Sequence, residues 1–185
     1  MANQLGNYSL YIALFAAIFI IFHSSNLIRN KSKNLDSKIF SVLSVQSLMV
    51  LMSFFTLIYA FIISDFSNIT VYNNSHTTKP LFYKISGSWG NHEGSLLLWL
   101  LVLNIFLFIF FISSKKLLIK YRLLTIKYRL LTILFQELII IGFLLFILFT
   151  SNPFLYLFPV PKEGTGLNPI LQDPALAIHP PILYL

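Results

Sequence analysis

The sequence contains no cysteine and unusually few charged residues. Without cysteine, the chain can form no disulfide, thiolate metal site or cysteine nucleophile. Charged residues make up 10% of its 185 positions, whereas about 25% is typical of a soluble domain. Hydrophobic residues make up 57%, and phenylalanine alone occupies 19 positions. This composition excludes a disordered or ordinary soluble chain and predicts a protein that lies in a membrane.

Long apolar runs recur along the chain. A helix needs about 20 mostly apolar residues to cross a bilayer. Four runs meet this requirement, and they predict an all-α, polytopic membrane protein with helices at residues 8–28, 39–63, 95–112 and 130–149. A fifth helix is expected to start at His179 and to stop after barely one turn. We therefore expect another chain to complete the membrane unit.

Basic residues gather in two of the connections between these runs. Residues 29–38 and 115–129 contain ten basic residues and one acidic residue, a net charge of +9. The other connections hold three basic and four acidic residues, a net charge of −1. Lys and Arg accumulate on the cytoplasmic or matrix side, so residues 64–94 (the first polar segment) and 150–179 (the second polar segment) are expected to face the outer side together. We interpret the basic residues as topology signals and lipid-headgroup anchors, not as a nucleic-acid site.

The first polar segment leads into the sequence Trp-Gly-Asn-His-Glu-Gly-Ser at residues 89–95, here called the WGNHEGS motif. A structural explanation covers part of it. Ser95 would cap the next helix, Glu93 would sit favourably at the helix N-terminus, and the two glycines would allow a close approach to the bilayer. The tryptophan and His92 are explained less well. A functional role and a structural role for His92 both stay open on residue types alone.

The second polar segment is rich in proline and ends in His179-Pro180-Pro181, here called the HPP motif. Proline fixes φ and stops helices, so the segment is predicted to be a rigid loop. A histidine held between a rigid loop and a helix start is well placed to offer its imidazole to haem iron at the membrane surface. The same histidine could instead cap a helix or form a hydrogen bond at the interface. Residue types alone leave both open.

One carboxylate, Glu137, lies inside the fourth apolar run. An uncompensated carboxylate near the bilayer centre costs about 3 kcal/mol. Glu137 is therefore expected to face other helices or to reach water at the matrix interface. It belongs to no motif, and we assign it no catalytic role.

Three longer stretches carry a family resemblance. They are residues 89–99, 142–154 and 167–184. Together they resemble the N-terminal part of the CcmF family, the haem lyase subunit of the multi-component cytochrome c maturation system. The similarity spans roughly residues 65–185, and the first two apolar runs resemble the family only in hydropathy. The chain has Asn91 where the family commonly has a second Gly, and Thr165 and Gly166 where it commonly has an Arg and an acidic residue.

The resemblance implies attachment of haem to apocytochrome c, through thioether bonds to the two thiols of a Cys-X-X-Cys-His motif. It implies that His179 is an axial ligand of the haem iron and that His92 supports the site. The haem b would be held largely by a partner chain carrying a tryptophan-rich segment, so this fragment would not be active alone and no catalytic residue is assigned in it. The other motif residues expected to support the site are Trp89, Gly90, Glu93, Gly94, Asn168, Pro169, Asp173, Pro180 and Pro181.

The partners implied are the remaining fragments of a split haem lyase, a haem-delivery chaperone, apocytochrome c and membrane lipid, with a respiratory complex as a further candidate. The abundance of Phe, Ile, Leu, Asn and Lys favours an AT-rich organellar genome. We therefore expect the mitochondrial inner membrane in preference to a bacterial plasma membrane, with the motifs facing the intermembrane space. A competing hypothesis is a structural subunit of a larger respiratory-chain assembly that retains lyase ancestry without lyase activity. A partner carrying the tryptophan-rich segment would favour the lyase.

Overall fold

The computed structural model describes residues 2–31, 37–113 and 122–184, and these residues are mostly helical. The helices are α1 (Ala2–Arg29), α2 (Ser37–Ile62), α3 (Ile69–Asn74), α4 (Leu81–Gly87), α5 (His92–Ser113), α6 (Arg122–Phe149) and α7 (Pro174–Tyr184), with a short 3-10 helix at Pro169–Gln172. Four of them, α1, α2, α5 and α6, are long and apolar enough to cross a membrane. The prediction of an all-α, polytopic membrane protein is confirmed.

The long helices extend beyond the predicted apolar runs. α1 reaches back to Ala2, and α5 begins at His92 rather than at residue 95. Hydropathy detects only the part of a helix that matches the hydrocarbon core of the bilayer. Polar turns at either end continue the helix without adding to that signal.

The four long helices pack around a common interior. α1 packs against α2 and α6, and α5 packs against the same two helices, so α2 and α6 occupy opposite corners of the bundle. The interior is apolar and aromatic, and Phe40 of α2 stacks on the fully buried Phe111 of α5 with ring centroids 5.8 Å apart. Phe15 of α1 and Phe135 of α6 are 68% and 63% exposed, as expected of side chains that face lipid.

Glu137 of α6 is fully buried inside this bundle. Its carboxylate accepts a hydrogen bond from Nε2 of Gln46 on α2, at 3.0 Å. The prediction that Glu137 faces other helices is confirmed.

Arg129 differs from the exposed basic residues near it. Its side chain is 3% exposed, donates to the carbonyl of Phe111 and lies 4.7 Å from the centroid of that ring. Within the basic clusters interpreted as topology signals and lipid-headgroup anchors, Arg129 is therefore not a headgroup anchor, because α6 starts at Arg122 and carries Arg129 onto the face that packs against α5. Lys33, Asp36, Lys115, Lys116 and Lys120 lie outside the described residues.

Asparagine side chains join the start of α1 to both polar segments. Nδ2 of Asn68 donates to Oδ1 of Asn3 at 2.8 Å and to the carbonyl of Pro153 at 2.9 Å. Nδ2 of Asn152 donates to Oδ1 of Asn7 at 3.0 Å. The two polar segments therefore lie at the same end of the bundle. The side of the membrane that this end faces stays a prediction.

The first polar segment contains two short helices, α3 and α4, rather than one continuous loop. Asn68 caps α3, since its side-chain oxygen accepts hydrogen bonds from the N–H groups of Thr70 and Val71. The segment also pairs directly with the second one, because the N–H of Leu157 donates to the carbonyl of Ser67 at 2.8 Å. These bonds give the motif end of the bundle a defined shape.

The second polar segment ends in a helix that begins earlier than expected. α7 begins at Pro174, and the carboxylate of Asp173 accepts hydrogen bonds from the N–H groups of Ala175 at 2.8 Å and Leu176 at 3.1 Å. An Asp cap followed by Pro at the first helical position is a strong helix start. The prediction that the fifth helix starts at His179 is therefore wrong. The HPP motif lies inside α7.

Candidate functional site

The WGNHEGS motif starts α5, and its asparagine caps the helix. Oδ1 of Asn91 accepts a hydrogen bond from the N–H of Gly94 at 2.7 Å, and its amide donates to the carbonyl of Gly87 at 2.7 Å. Ser95 lies inside the first turn and donates to the carbonyl of His92 at 3.0 Å. The prediction that Ser95 is the cap is wrong, because the helix starts three residues earlier. The residue that departs from the family pattern supplies the cap.

Gly94 of the motif lets α4 turn sharply into α5. A Cβ atom on Gly94 would overlap the carbonyl oxygen of Ser88. The N–H of Gly90 donates to the carbonyl of Ser86 at 2.9 Å and so continues the end of α4. The close approach made by Gly94 is to the protein's own backbone, not to the bilayer as predicted.

The indole of Trp89 joins the WGNHEGS motif to α7. Its Nε1–H donates to the carbonyl of Ala177 at 2.8 Å. Its ring stacks against Phe54 of α2, with centroids 6.5 Å apart. Ala177 is 3% exposed, so the acceptor lies on a face of α7 that is shielded from solvent. Trp89 thereby connects α2, α5 and α7.

Pro181 explains why the Ala177 carbonyl is available. In an α-helix, the carbonyl of residue i accepts from the N–H four residues later. For Ala177 that residue is Pro181, which lies inside α7 and has no N–H. The proline leaves one buried acceptor without a helical partner, and Trp89 supplies the missing donor. This hydrogen bond thus links the helix that carries the HPP motif to the WGNHEGS motif.

His179 lies on the opposite face of α7. Two residues correspond to about 200° around a helix, so the imidazole points away from the face that Ala177 buries. His179 is exposed, and within the described residues it has no hydrogen bond, ion pair or ring contact. Its neighbours at helical spacing are exposed and apolar: Leu176, Ile182 and Leu183. The result is a free imidazole in an open apolar surface.

The end of α7 is held by a second tryptophan. Tyr184 stacks on Trp99 of α5 with ring centroids 5.5 Å apart and planes 4° from parallel. Trp99 also meets Phe143 of α6 edge to face at 4.9 Å. Two indoles, Trp89 and Trp99, therefore hold α7 along one face and leave the His179 face open.

His92 and Glu93 begin α5 without touching His179. His92 is exposed and meets the ring of Phe146 edge to face, with centroids 6.4 Å apart. Glu93 lies in the first turn of the helix, where a negative charge is favourable. In the part of the chain that the structure describes, no hydrogen bond or ring contact joins either side chain to His179.

The predicted support residues ahead of α7 shape the backbone. The carbonyl of the buried Leu167 accepts from Nε2 of Gln172 at 3.0 Å. Asn168 is exposed, Pro169 begins the 3-10 helix, and Asp173 caps α7. These residues set where α7 starts.

Thr165 and Gly166, which depart from the family pattern, dock on the end of α3. The N–H of Thr165 donates to the carbonyl of Tyr72 at 2.8 Å, and the N–H of Gly166 donates to the carbonyl of Ser75 at 3.1 Å. Gly166 has φ +97°, in the left-handed region that favours glycine. At these two positions the chain makes backbone hydrogen bonds, whereas the family commonly has two charged side chains.

Glu163 also joins the second polar segment to the first, through its charged carboxylate. Its carboxylate accepts from the hydroxyl of Thr77 at 2.8 Å and lies 3.5 Å from Nε2 of His76. The hydrogen bond from Thr77 and, to a smaller extent, the charge of His76 lower the pKa of Glu163 from its usual value. The carboxylate is therefore favoured in its ionised form at neutral pH.

The surface around His179 has the chemistry that would hold a haem. His179 would offer the iron one imidazole nitrogen. The exposed apolar side chains beside His179 match the apolar face of the macrocycle. Among the described residues, no three His, Asp or Glu side chains gather as a separate metal site.

Comparison with known families identifies the protein family of this chain. The family model described as cytochrome C assembly protein matches residues 89–185, which is more than half of the chain. The chain belongs to the cytochrome c assembly protein family. The matched region begins at Trp89 and contains all of α7, so both of the coupled motifs lie within the family region.

Curated relatives support the same family. The chain is 44% identical over 185 residues to the cytochrome c-type biogenesis protein CycK of Rhizobium meliloti, covering 100% of this chain and 26% of that protein. It is 48% identical over 137 residues to the biogenesis protein ccl1 of Rhodobacter capsulatus (74% of this chain, 20% of that protein). It is 39% identical over 188 residues to CcmF of Escherichia coli (100% of this chain, 28% of that protein). The chain spans about a quarter of the length of these relatives, and no solved structure matches it.

Sequence reasoning missed two contributors to the site. Asn91, a departure from the family pattern, is the cap of α5. The second contributor is the Ala177 carbonyl, for which the sequence carries a detectable signal. Asp173-Pro174 marks a helix start, and a helix started there places Pro181 four residues after Ala177.

Proposed function

We propose that this chain forms the N-terminal part of a haem lyase that attaches haem covalently to the Cys-X-X-Cys-His thiols of apocytochrome c. Membership of the cytochrome c assembly family supports a role in cytochrome c maturation. The observation that carries the finer proposal is His179, which presents a free imidazole on the open apolar face of α7. His179 would be an axial ligand of the haem iron.

The remaining residues of the site would act by position. Trp89 holds α7 through the Ala177 carbonyl, and Asn91 fixes the start of α5 below it. The vinyl groups of haem supply the carbons to which each cysteine S–H adds, so thioether formation needs no further reagent. His92 lies at the same end of the bundle and would support the site without binding the iron. The chain itself supplies no catalytic residue to this proposal.

The partners follow from the share of the protein that this chain represents. Since it spans about a quarter of the relatives' length, the remaining segments of the lyase would supply the second haem ligand and the tryptophan-rich segment. Apocytochrome c, a haem-delivery chaperone and membrane lipid complete the set. The haem b would be bound largely by those other segments.

The motif end of the bundle would face the outer side of the membrane. The composition supports the mitochondrial inner membrane, whereas the relatives named above are bacterial and support a bacterial plasma membrane. Both membranes give the same orientation, since the basic connections lie on the opposite side in each. Cell fractionation with a tagged chain distinguishes the two membranes.

The test is the haem content of the assembly, purified in mild detergent by a tag on this chain. Wild type should co-purify with the remaining lyase segments and show a haem absorption band. His179→Ala should lower haem occupancy, because the iron loses one axial nitrogen.

His76→Ala is the matched control, since His76 lies at the same end of the bundle but outside α7. It should leave the haem band unchanged, and His92→Ala should weaken maturation less than His179→Ala. An unchanged band and spectrum in His179→Ala would remove the ligand assignment. Co-purification with a respiratory complex, without haem or the other lyase segments, would favour the structural subunit instead.

A further inference from the structure

Buried polar side chains meet at the centre of the helix bundle. Gln46 of α2 and Glu137 of α6 are both fully buried and joined by a hydrogen bond of 3.0 Å. Because α2 and α6 occupy opposite corners of the bundle, this bond crosses the bundle axis. None of the motifs includes either residue, and the proposed lyase chemistry uses neither.

Asn104 of α5 lies at the same level. It is fully buried. The carbonyl of the preceding residue, Leu103, accepts a hydrogen bond of 3.5 Å from Nε2 of Gln136, which directly precedes Glu137. The backbone of α5 at Asn104 is thus level with the backbone of α6 at Glu137. α5 packs against both α2 and α6, so its buried face turns toward the Gln46–Glu137 pair.

The layer formed by Gln46, Asn104 and Glu137 leaves hydrogen-bonding groups unpaired. Four of its atoms have no hydrogen-bond partner within the described residues: Oε1 of Gln46, Oε1 of Glu137, and both amide atoms of Asn104. Buried polar atoms in native proteins nearly always have a partner, either protein or ordered water. In a membrane-spanning bundle, no other solvent can supply one.

We propose that this layer, Gln46, Asn104 and Glu137, is an internal water-binding site, in which one or two water molecules bridge the Asn104 amide to the Gln46–Glu137 pair. Water fits because the unpaired set contains a donor, Nδ2 of Asn104, as well as several acceptors. A metal cation would satisfy the oxygens but leave that N–H group unpaired. The site stands independently of the lyase proposal, since it uses none of the same residues.

The direct test is a structure of the intact, purified assembly at a resolution that shows ordered water. Density is expected within hydrogen-bonding distance of the Asn104 amide and of Oε1 of Glu137. Two results would overturn the proposal: side chains that pack there without intervening density, or an Asn104 amide bonded directly to the Glu137 carboxyl.

A double-mutant cycle provides a second measurement. Asn104→Leu and Gln46→Leu should be non-additive in the melting temperature of the assembly, by about 2–4 °C, because bridging water couples side chains that share no direct hydrogen bond. Asn104→Leu with Ser53→Ala is the control pair. Ser53 is buried on α2 two turns beyond Gln46, so these effects should add. Additive behaviour in both pairs would contradict a shared water site.

Discussion

The hydrogen bond between Trp89 and Ala177 predicts how α7 can be released. Trp89→Phe keeps an aromatic ring against Phe54, and it removes the Nε1–H donor together with part of the indole's volume. The Ala177 carbonyl is shielded from solvent and Pro181 offers it no N–H, so the acceptor is left without a partner. Leaving a buried acceptor unpaired costs about 1–3 kcal/mol. The ratio of undocked to docked α7 should therefore rise by about 5- to 150-fold.

Hydrogen–deuterium exchange on the intact assembly measures this ratio. Backbone amides in the last turns of α7 should exchange faster in Trp89→Phe by a factor in that range. Pro181→Ala restores an N–H to the helix, so the Ala177 carbonyl gains an alternative donor. In the Pro181→Ala background, the effect of Trp89→Phe should shrink markedly.

Trp99→Phe is the matched control. Trp99 stacks on Tyr184, and among the described residues its Nε1–H donates to no acceptor, so a phenyl ring replaces most of its contact. Trp99→Phe should therefore speed amide exchange in α7 less than Trp89→Phe does. The reasoning is refuted if Trp89→Phe and Trp99→Phe behave alike, or if the effect of Trp89→Phe is the same with and without Pro181.

Three further predictions concern the motif end of the bundle. Asn91→Ala should destabilise the first turn of α5 by about 1 kcal/mol, whereas Asn91→Gly should cost only a few tenths, as thermal unfolding of the assembly can show. The pKa of Glu163 is lower in the folded state than in the unfolded state, so its ionised carboxylate stabilises the fold above the unfolded pKa of about 4.3. This stabilisation is lost as pH falls through the lower folded value. Protection of the Thr165 amide from exchange should follow this pH dependence in wild type and not in Glu163→Gln. Cysteines introduced at the exposed Asn73 and Lys162 should be labelled by an impermeant reagent from the outer side, and labelling of either one only from the matrix side would reverse the topology.

The four membrane helices could be predicted because hydropathy alone specifies them. Runs of about 20 apolar residues leave few alternatives in a chain with so little charge. Helix ends depend instead on single hydrogen bonds. The sequence misplaces the start of α5 because Ser95 and Asn91 are both good caps. Only the turn from α4 into α5 shows which one is used. The α7 end could have been placed from Asp173-Pro174, whose cap-and-proline pattern is local.

For a related reason, the sequence predicts the histidine of the site but not the bond that positions its helix. The residue type and motif of His179 made it a candidate, and helix geometry then placed it on the open face of α7. The bond that positions this helix joins a side chain to a backbone carbonyl 88 residues away. A carbonyl belongs to every residue and has no sequence signature, so the partner of Trp89 could not be read from residue types. The burial of Arg129 was missed likewise, since a basic residue near a membrane flank is normally exposed.

The most direct measurement of His179 as a haem ligand is the yield of covalently attached haem on cytochrome c in cells expressing His179→Ala, with and without added imidazole. Free imidazole can occupy the vacant axial position, so it should restore part of the yield together with part of the haem band of the assembly. It should restore nothing in Trp89→Phe, where His179 is present and only its helix is displaced. A normal yield in His179→Ala, or a loss that imidazole leaves unchanged while haem occupancy stays at the wild-type level, would contradict the assignment of His179 as an axial ligand.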